Sequence, residues 1–233
     1  MLEVEGISKF FGDFKAINNL SFAVKVGDVM GFLGPNGAGK TTSMRIITGY
    51  LKADQGRVLI NNKNIDEDPI AAKSLIGYLP EGVPLYLDFS PNLYLQYVCD
   101  VRQVKEPKKN IERVIKELQL EEVQDVPIET LSKGFKRRVG IAQALIHDPK
   151  LLILDEPTDG LDPLQKFEVR KLIKKLSKSK AIIISTHILD EVPEVCNRCL
   201  IINSGEKKFE GSPTQLKRKV GKNLDEKFRK IIN

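Results

Sequence analysis

The nine residues Gly34-Pro35-Asn36-Gly37-Ala38-Gly39-Lys40-Thr41-Thr42 constrain this chain more than any other stretch, because they carry the spacing G-x-x-x-x-G-K-[ST]. An apolar run, Val29 to Leu33, precedes them and reads as a buried strand. A helical pattern follows from Thr42 to Thr48, with Met44, Ile46 and Ile47 available for packing. Strand, glycine-rich loop and helix in this order make a phosphate-binding loop. A polyphosphate has to be surrounded by inward-turned N–H groups, at backbone angles and distances that a Cβ atom would obstruct. The helix N-terminus adds partial positive charge. Lys40 is expected to reach the β- and γ-phosphates, and the Thr41 hydroxyl to ligate Mg²⁺.

A chain of 233 residues holds either one α/β domain or a core with a smaller lobe. No apolar run approaches the ~20 residues needed to cross a bilayer. The start, Met-Leu-Glu-Val-Glu-Gly, lacks a basic and then apolar signal pattern. Any membrane role is therefore expected to come through a partner. The net charge of +6 owes much to Lys207, Lys208, Lys217, Arg218, Lys219, Lys222, Lys227, Arg229 and Lys230, which read as a solvated helix face, with anionic lipid or nucleic acid as the minority readings. Cys196 and Cys199 have C-x-x-C spacing, but no second pair accompanies them, so reduced thiols are expected rather than zinc.

Taken in order, Leu2 to Phe11 and Leu20 to Val26 predict an antiparallel sheet ahead of the loop. Arg57 to Ile60 and Leu75 to Leu79 read as further strands. Ser90-Pro91 starts a helix with Leu93, Tyr94, Tyr97, Val98 and Val101 on one face. A second helix after Pro107 places Ile111, Val114, Ile115 and Leu118 at i, i+3, i+4 and i+7. Ser132 begins another helix, stopped by His147-Asp148-Pro149. Leu151 to Leu154 is a fully apolar strand, as in a parallel sheet covered on both faces. Asp162-Pro163 caps a helix with Leu164, Phe167, Leu172, Ile173 and Leu176 inward. Ala181 to Ile184 is a strand, His187 to Cys196 a helix, and Leu200 to Glu210 a hairpin about Gly205. The expected fold class is α/β, a P-loop NTPase core of mostly parallel sheet with helices on both faces, an N-terminal antiparallel β subdomain and an inserted all-helical lobe. Residues 1–88 and 131–211 form the core of a single domain, about 89–130 the lobe, and 212–233 a helical tail.

At the end of the Leu151 to Leu154 strand stand Asp155 and Glu156, where P-loop enzymes place acidic side chains beside the nucleotide. Asp155 is expected to hold Mg²⁺, and Glu156 to accept a proton from the attacking water. The order of Gly34 to Thr42, then Leu131-Ser132-Lys133-Gly134-Phe135, Leu151 to Pro157, Gly160-Leu161-Asp162 and Ser185-Thr186-His187 resembles the nucleotide-binding subunit of ATP-binding cassette (ABC) transporters. With Ile76-Gly77-Tyr78-Leu79-Pro80-Glu81, the pattern is most similar to exporter subunits whose membrane part is a separate chain.

The resemblance implies that Phe11 stacks on adenine, strand packing being the competing reading of Phe10-Phe11. It implies that Ser132 and Gly134 contact the γ-phosphate on a second copy, that Asp162 links the two sites, and that His187 hydrogen-bonds the γ-phosphate. It further implies ATP and Mg²⁺, hydrolysis in a two-ATP dimer, a separate transmembrane permease touching the lobe near Tyr86, Phe89, Tyr94 and Tyr97, and a cytoplasmic position on the inner membrane face. No nucleic-acid partner is expected. A soluble ATPase of this fold acting on nucleic acid or ribosomes, and a low-turnover nucleotide-gated subunit, are the alternatives. The family usually has glutamine where Glu81 stands, here a further candidate Mg²⁺ ligand, and Leu-Ser-Gly-Gly-Gln where Leu131 to Phe135 stands.

Overall fold

Alternating apolar residues at the start of the chain become an antiparallel pair, β1 (Leu2–Phe11) and β2 (Phe14–Val24), with Leu2 opposite Val24 and Phe11 opposite Phe14. In this computed structural model, which describes residues 1–220, β3 (Val29–Leu33) then leaves for a second sheet and feeds the phosphate loop and α1 (Lys40–Ile47). β4 (Gln55–Ile60) and the short β5 (Lys63–Asn64) return to the first sheet, giving the order β2-β1-β4-β5. α2 (Pro69–Lys73) leads into β6 (Ile76–Leu79). The inserted lobe carries α3 (Pro91–Arg102) and α4 (Pro107–Glu117), each with proline in its first turn, where a missing N–H costs nothing.

The chain then makes α5 (Lys133–Leu145), β7 (Leu151–Asp155), α6 (Pro163–Leu176) and β8 (Ala181–Thr186). A 3₁₀ turn (Leu189–Glu191), α7 (Val192–Val195), β9 (Arg198–Asn203), β10 (Glu206–Gly211) and α8 (Pro213–Val220) follow. The second sheet has the order β10-β9-β3-β8-β7-β6; β10 runs antiparallel to β9 and every other pairing is parallel.

Every residue of β3, β7 and β8 is buried, because the second sheet is covered on both faces. Its side chains alternate between two cores. Met30, Phe32, Leu151, Ile153 and Ile183 meet α1 and the antiparallel sheet. Leu33, Leu152, Leu154, Ile182 and Ile184 meet the helices of the opposite face, including α5, α6 and the lobe. Burying each such aliphatic side chain contributes ~1.5–3 kcal/mol. Among the described residues no helix is long and apolar enough to cross a membrane.

Four expectations are corrected. α3 buries Tyr94, Leu95, Val98 and Cys99, leaving Leu93, Tyr97 and Val101 exposed; both stripes satisfy a period of 3.6, and packing on α4 and α5 selects the first. α6 buries Val169, Ile173 and Leu176, so its apolar start, Leu164 and Phe167, faces outward. The helix expected over 187–196 is broken, because Ile188 is extended and Pro193 opens a new turn. The strand begun at Leu20 starts instead at Phe14 and ends at Val24, with Val26 exposed. Of the basic C-terminal positions, Lys207 and Lys208 lie on β10 in ion pairs with Glu210 and Glu206, whereas Lys222, Lys227, Arg229 and Lys230 fall outside the described residues.

Candidate functional site

The phosphate loop closes on itself through its lysine. Lys40 Nζ donates to the carbonyls of Gly34 at 2.7 Å and Pro35 at 3.1 Å, so the ammonium sits buried beneath the loop crown. Burial pulls its pKa below the ordinary value, while Glu156, Asp155 and Glu81 act in the opposite sense. Gly39 caps α1 at φ 103°, and a Cβ there would lie 2.7 Å from the Ala16 carbonyl oxygen. Only glycine satisfies both demands. Gly34 and Ala38 are buried and shape the loop from behind, whereas Asn36, Gly37, Gly39, Thr41 and Thr42 line an open cleft of about 530 Å³.

That cleft also receives residues from far apart in the chain: Phe11, Phe14, Glu81, Asp155, Glu156 and His187. Its volume lies within the range of small-ligand sites. Phe11, about half exposed, lines the cleft with the exposed Phe14, and the Lys9 ammonium lies 5.8 Å from the centre of the Phe11 ring. The Thr41 hydroxyl and the Glu81 and Asp155 carboxylates supply hard oxygen groups to one cleft, a set that suits Mg²⁺ sharing phosphate oxygens.

The acidic pair is held by the neighbouring strand. Ser185 of β8 donates its hydroxyl to Asp155 Oδ1, and its Oγ accepts the Glu156 N–H at 3.1 Å. Glu156 takes the left-handed conformation, φ 48°, which aims its side chain out of the sheet. His187 Nδ1 donates to Glu156 Oε1 at 3.0 Å. Burial raises the Glu156 pKa, Asp155 adds to the rise, and His187 and Lys40 oppose it. A carboxylate so placed can take a proton from a water in the cleft.

Ser132, Gly134 and Asp162 are not brought into this cleft. Ser132 caps α5 by accepting the Phe135 N–H at 3.3 Å, and Asp162 caps α6 by accepting the Gln165 N–H at 2.9 Å. The two caps lie together: a Cβ on Gly134 would stand 2.5 Å from the Gln165 side chain. One helix start and its neighbour therefore form a separate, joint surface.

Two further groups carry no sequence signal strong enough to single them out. Arg137 of α5 is buried, and its guanidinium donates to the main-chain carbonyls of Asp155, Glu156, Pro157 and Glu81. Glu191 is buried behind the site and accepts from Thr158 Oγ1 at 2.5 Å, Lys166 Nζ at 3.1 Å and an Arg170 guanidinium nitrogen at 3.2 Å. It ties the segment after Glu156 and α6 to the turn after His187. Cys196 and Cys199 are buried free thiols, and among the described residues no group of three His, Cys, Asp or Glu is placed to hold a metal.

A parallel sheet whose loop, acidic strand end and histidine meet at one cleft defines a P-loop nucleoside-triphosphate site. The family model for ABC transporters matches residues 17–159. The uncharacterized ABC transporter ATP-binding protein YhcH of Bacillus subtilis is 40% identical over 209 residues, 88% of this chain and 68% of its own length. Nod factor export ATP-binding protein I of Bradyrhizobium diazoefficiens is 36% identical over 220 residues, 92% of this chain and 71% of its own. The structure of cbiO1 from Clostridium perfringens, part of the ABC transporter complex cbiONQ, superposes with a TM-score of 0.85 at 32% identity, covering 99% of this chain and 93% of that one. This chain belongs to the ABC transporter family. It is an ATP-binding, ATP-hydrolysing subunit of that family.

Proposed function

We propose that two copies of this chain close around two ATP molecules and so drive a separate membrane permease, in the direction of export. The observation that carries this reading is the division of the site: Lys40, Asp155, Glu156 and His187 share one cleft, while Ser132, Gly134 and Asp162 present a second surface outside it. Each copy offers its α5 start, rich in N–H groups, to the triphosphate held by the other. The adenine stacks on Phe11, and the loop N–H groups with Lys40 hold the phosphates. Glu156 accepts the proton of a water that attacks the γ-phosphorus, and the bond to the bridging oxygen breaks to release ADP. His187 holds Glu156 and reaches the γ-phosphate. Thr41, Asp155 and Glu81 would hold Mg²⁺, which supplies positive charge against the phosphates. ATP favours the closed pair and its hydrolysis removes that preference.

The permease belongs at the lobe, where Tyr86 packs against Phe89, Tyr94 and Tyr97 at ring distances of 5.3, 6.0 and 5.2 Å and stays half exposed. Aromatic clusters of this kind are common anchors of interfaces. Attachment there would place the chain on the inner face of the membrane. Export rests on the likeness to an export protein, and a permease on the likeness to cbiO1 of a complex. The test is Glu156→Gln, expected to slow phosphate release ~10²–10⁴-fold while ATP stays bound and the pair stays closed on gel filtration. Parental turnover, or a strictly monomeric variant at saturating ATP with and without permease, would refute it.

A further inference from the structure

Three main-chain carbonyls turn inward where β7 leaves the sheet, those of Asp155, Glu156 and Pro157. Of these, Glu156 O also accepts the Asp159 N–H at 3.2 Å, and an unpaired buried carbonyl costs ~1–3 kcal/mol. One side chain answers all three. Arg137 Nη2 donates to Asp155 O at 2.6 Å and to Glu156 O, and Nε donates to Pro157 O at 3.2 Å. The remaining nitrogen, Nη1, reaches Glu81 O at 2.9 Å and Pro80 O at 3.4 Å.

This guanidinium is 7% exposed and has no carboxylate within ion-pair distance among the described residues. A buried cation that spends its donors on main chain is fixing backbone position rather than pairing charge. The backbone it fixes includes Glu156 at φ 48°, a conformation worth ~1–3 kcal/mol of strain that persists only where surroundings over-determine it. Arg137 also lies one turn along α5 from Ser132 and Gly134.

We propose that Arg137 is a positioning residue for hydrolysis: it holds the main chain of Glu156 and of Glu81 in register with the α5 start, so that the carboxylates of one copy are set by the helix that meets the other copy's ATP. The inference rests on the reading of Glu156 as the proton acceptor. Lysine at this position keeps the charge but offers a single nitrogen, and glutamine keeps two donors without charge.

The experiment compares the full chain with Arg137→Gln and Arg137→Lys, measuring kcat and KM for ATP, equilibrium binding of a fluorescent ATP analogue, and melting temperature. A geometric role predicts that Arg137→Gln lowers kcat ~10–10²-fold, since small misplacements of reacting groups cost that much, while KM and analogue affinity stay within about twofold. Arg137→Lys recovers part of the loss. Parental kcat in a folded Gln variant overturns the proposal, as does a parallel fall of kcat and analogue binding, which marks general support of the fold. Should the Gln variant not fold, the Lys variant decides: reduced kcat with unchanged binding supports the assignment, and unchanged kcat overturns it. Glu156→Gln in the same assay separates the two layers, because parental turnover there removes the role of Glu156 itself.

Discussion

Glu191→Gln isolates the network behind the acidic end of β7. The carboxylate is 6% exposed and carries three donors, from Thr158, Lys166 and Arg170. Removing one partner of a fully buried ion pair costs ~3–5 kcal/mol. Here the Lys166 and Arg170 side chains are 26% and 25% exposed, so water recovers part of that loss. A net cost of ~2 kcal/mol follows, equivalent to ~4–8 °C in melting temperature for a chain of this size. The pH dependence has a definite sign. Burial pushes the Glu191 carboxyl up, but the hydrogen bonds from Thr158 and Lys166 and the charges of Lys166 and Arg170 outweigh it and hold the pKa below the ordinary 4.5. Such a group contributes stability above its unfolded value and loses it as pH falls through the folded one. Scanning calorimetry of parent and variant from pH ~8 downward should show a constant gap to pH ~5 that closes at lower pH. No gap at pH ~8, or an equal gap at pH ~3.5, would refute the charged network.

The rate should fall on acidification through the raised Glu156 value, so the acid limb of the kcat/KM profile, which reports the free chain, has its midpoint above the ordinary 4.5; a midpoint at or below that value refutes Glu156 as the base. Phe11→Ala, at a half-exposed ring, should weaken ATP by ~1–2 kcal/mol, about tenfold in KM, with little change in melting temperature. Leu154→Ala, at a fully buried position beneath the acidic pair, should cost ~2–5 kcal/mol in urea unfolding. Gly134→Val should disrupt the contact of the α5 and α6 starts, seen as lost turnover with ATP binding to the isolated chain retained.

The phosphate loop was legible because its chemistry fixes residue types at fixed spacing, and the fully apolar β7 because nothing else tolerates four aliphatics in a row before Asp-Glu. Periodicity alone placed the α4 stripe, Ile111, Val114, Ile115 and Leu118, correctly inward, but it failed in α3 and α6. In α3, residues 93–101 offer two apolar stripes, and the choice between them is made by α4 and α5, not by local pattern. Leu164 and Phe167 follow a helical period yet face outward, because the inward stripe begins only at Val169. Arg137 was invisible for a different reason. In Lys136-Arg137-Arg138 a run of cations reads as a solvated face, and only the inward turn of β7 carbonyls distinguishes its middle member.

On the two-copy reading proposed above, the placement of the α5 and α6 starts outside the triphosphate cleft makes each chain half of a lock. Dilution then becomes an off switch, and in the absence of a scaffold specific activity rises with the concentration of chain. On the same reading, a permease that tethers two copies would raise their effective concentration to the ~mM range, and so would switch on ATP consumption only where there is a pore to power.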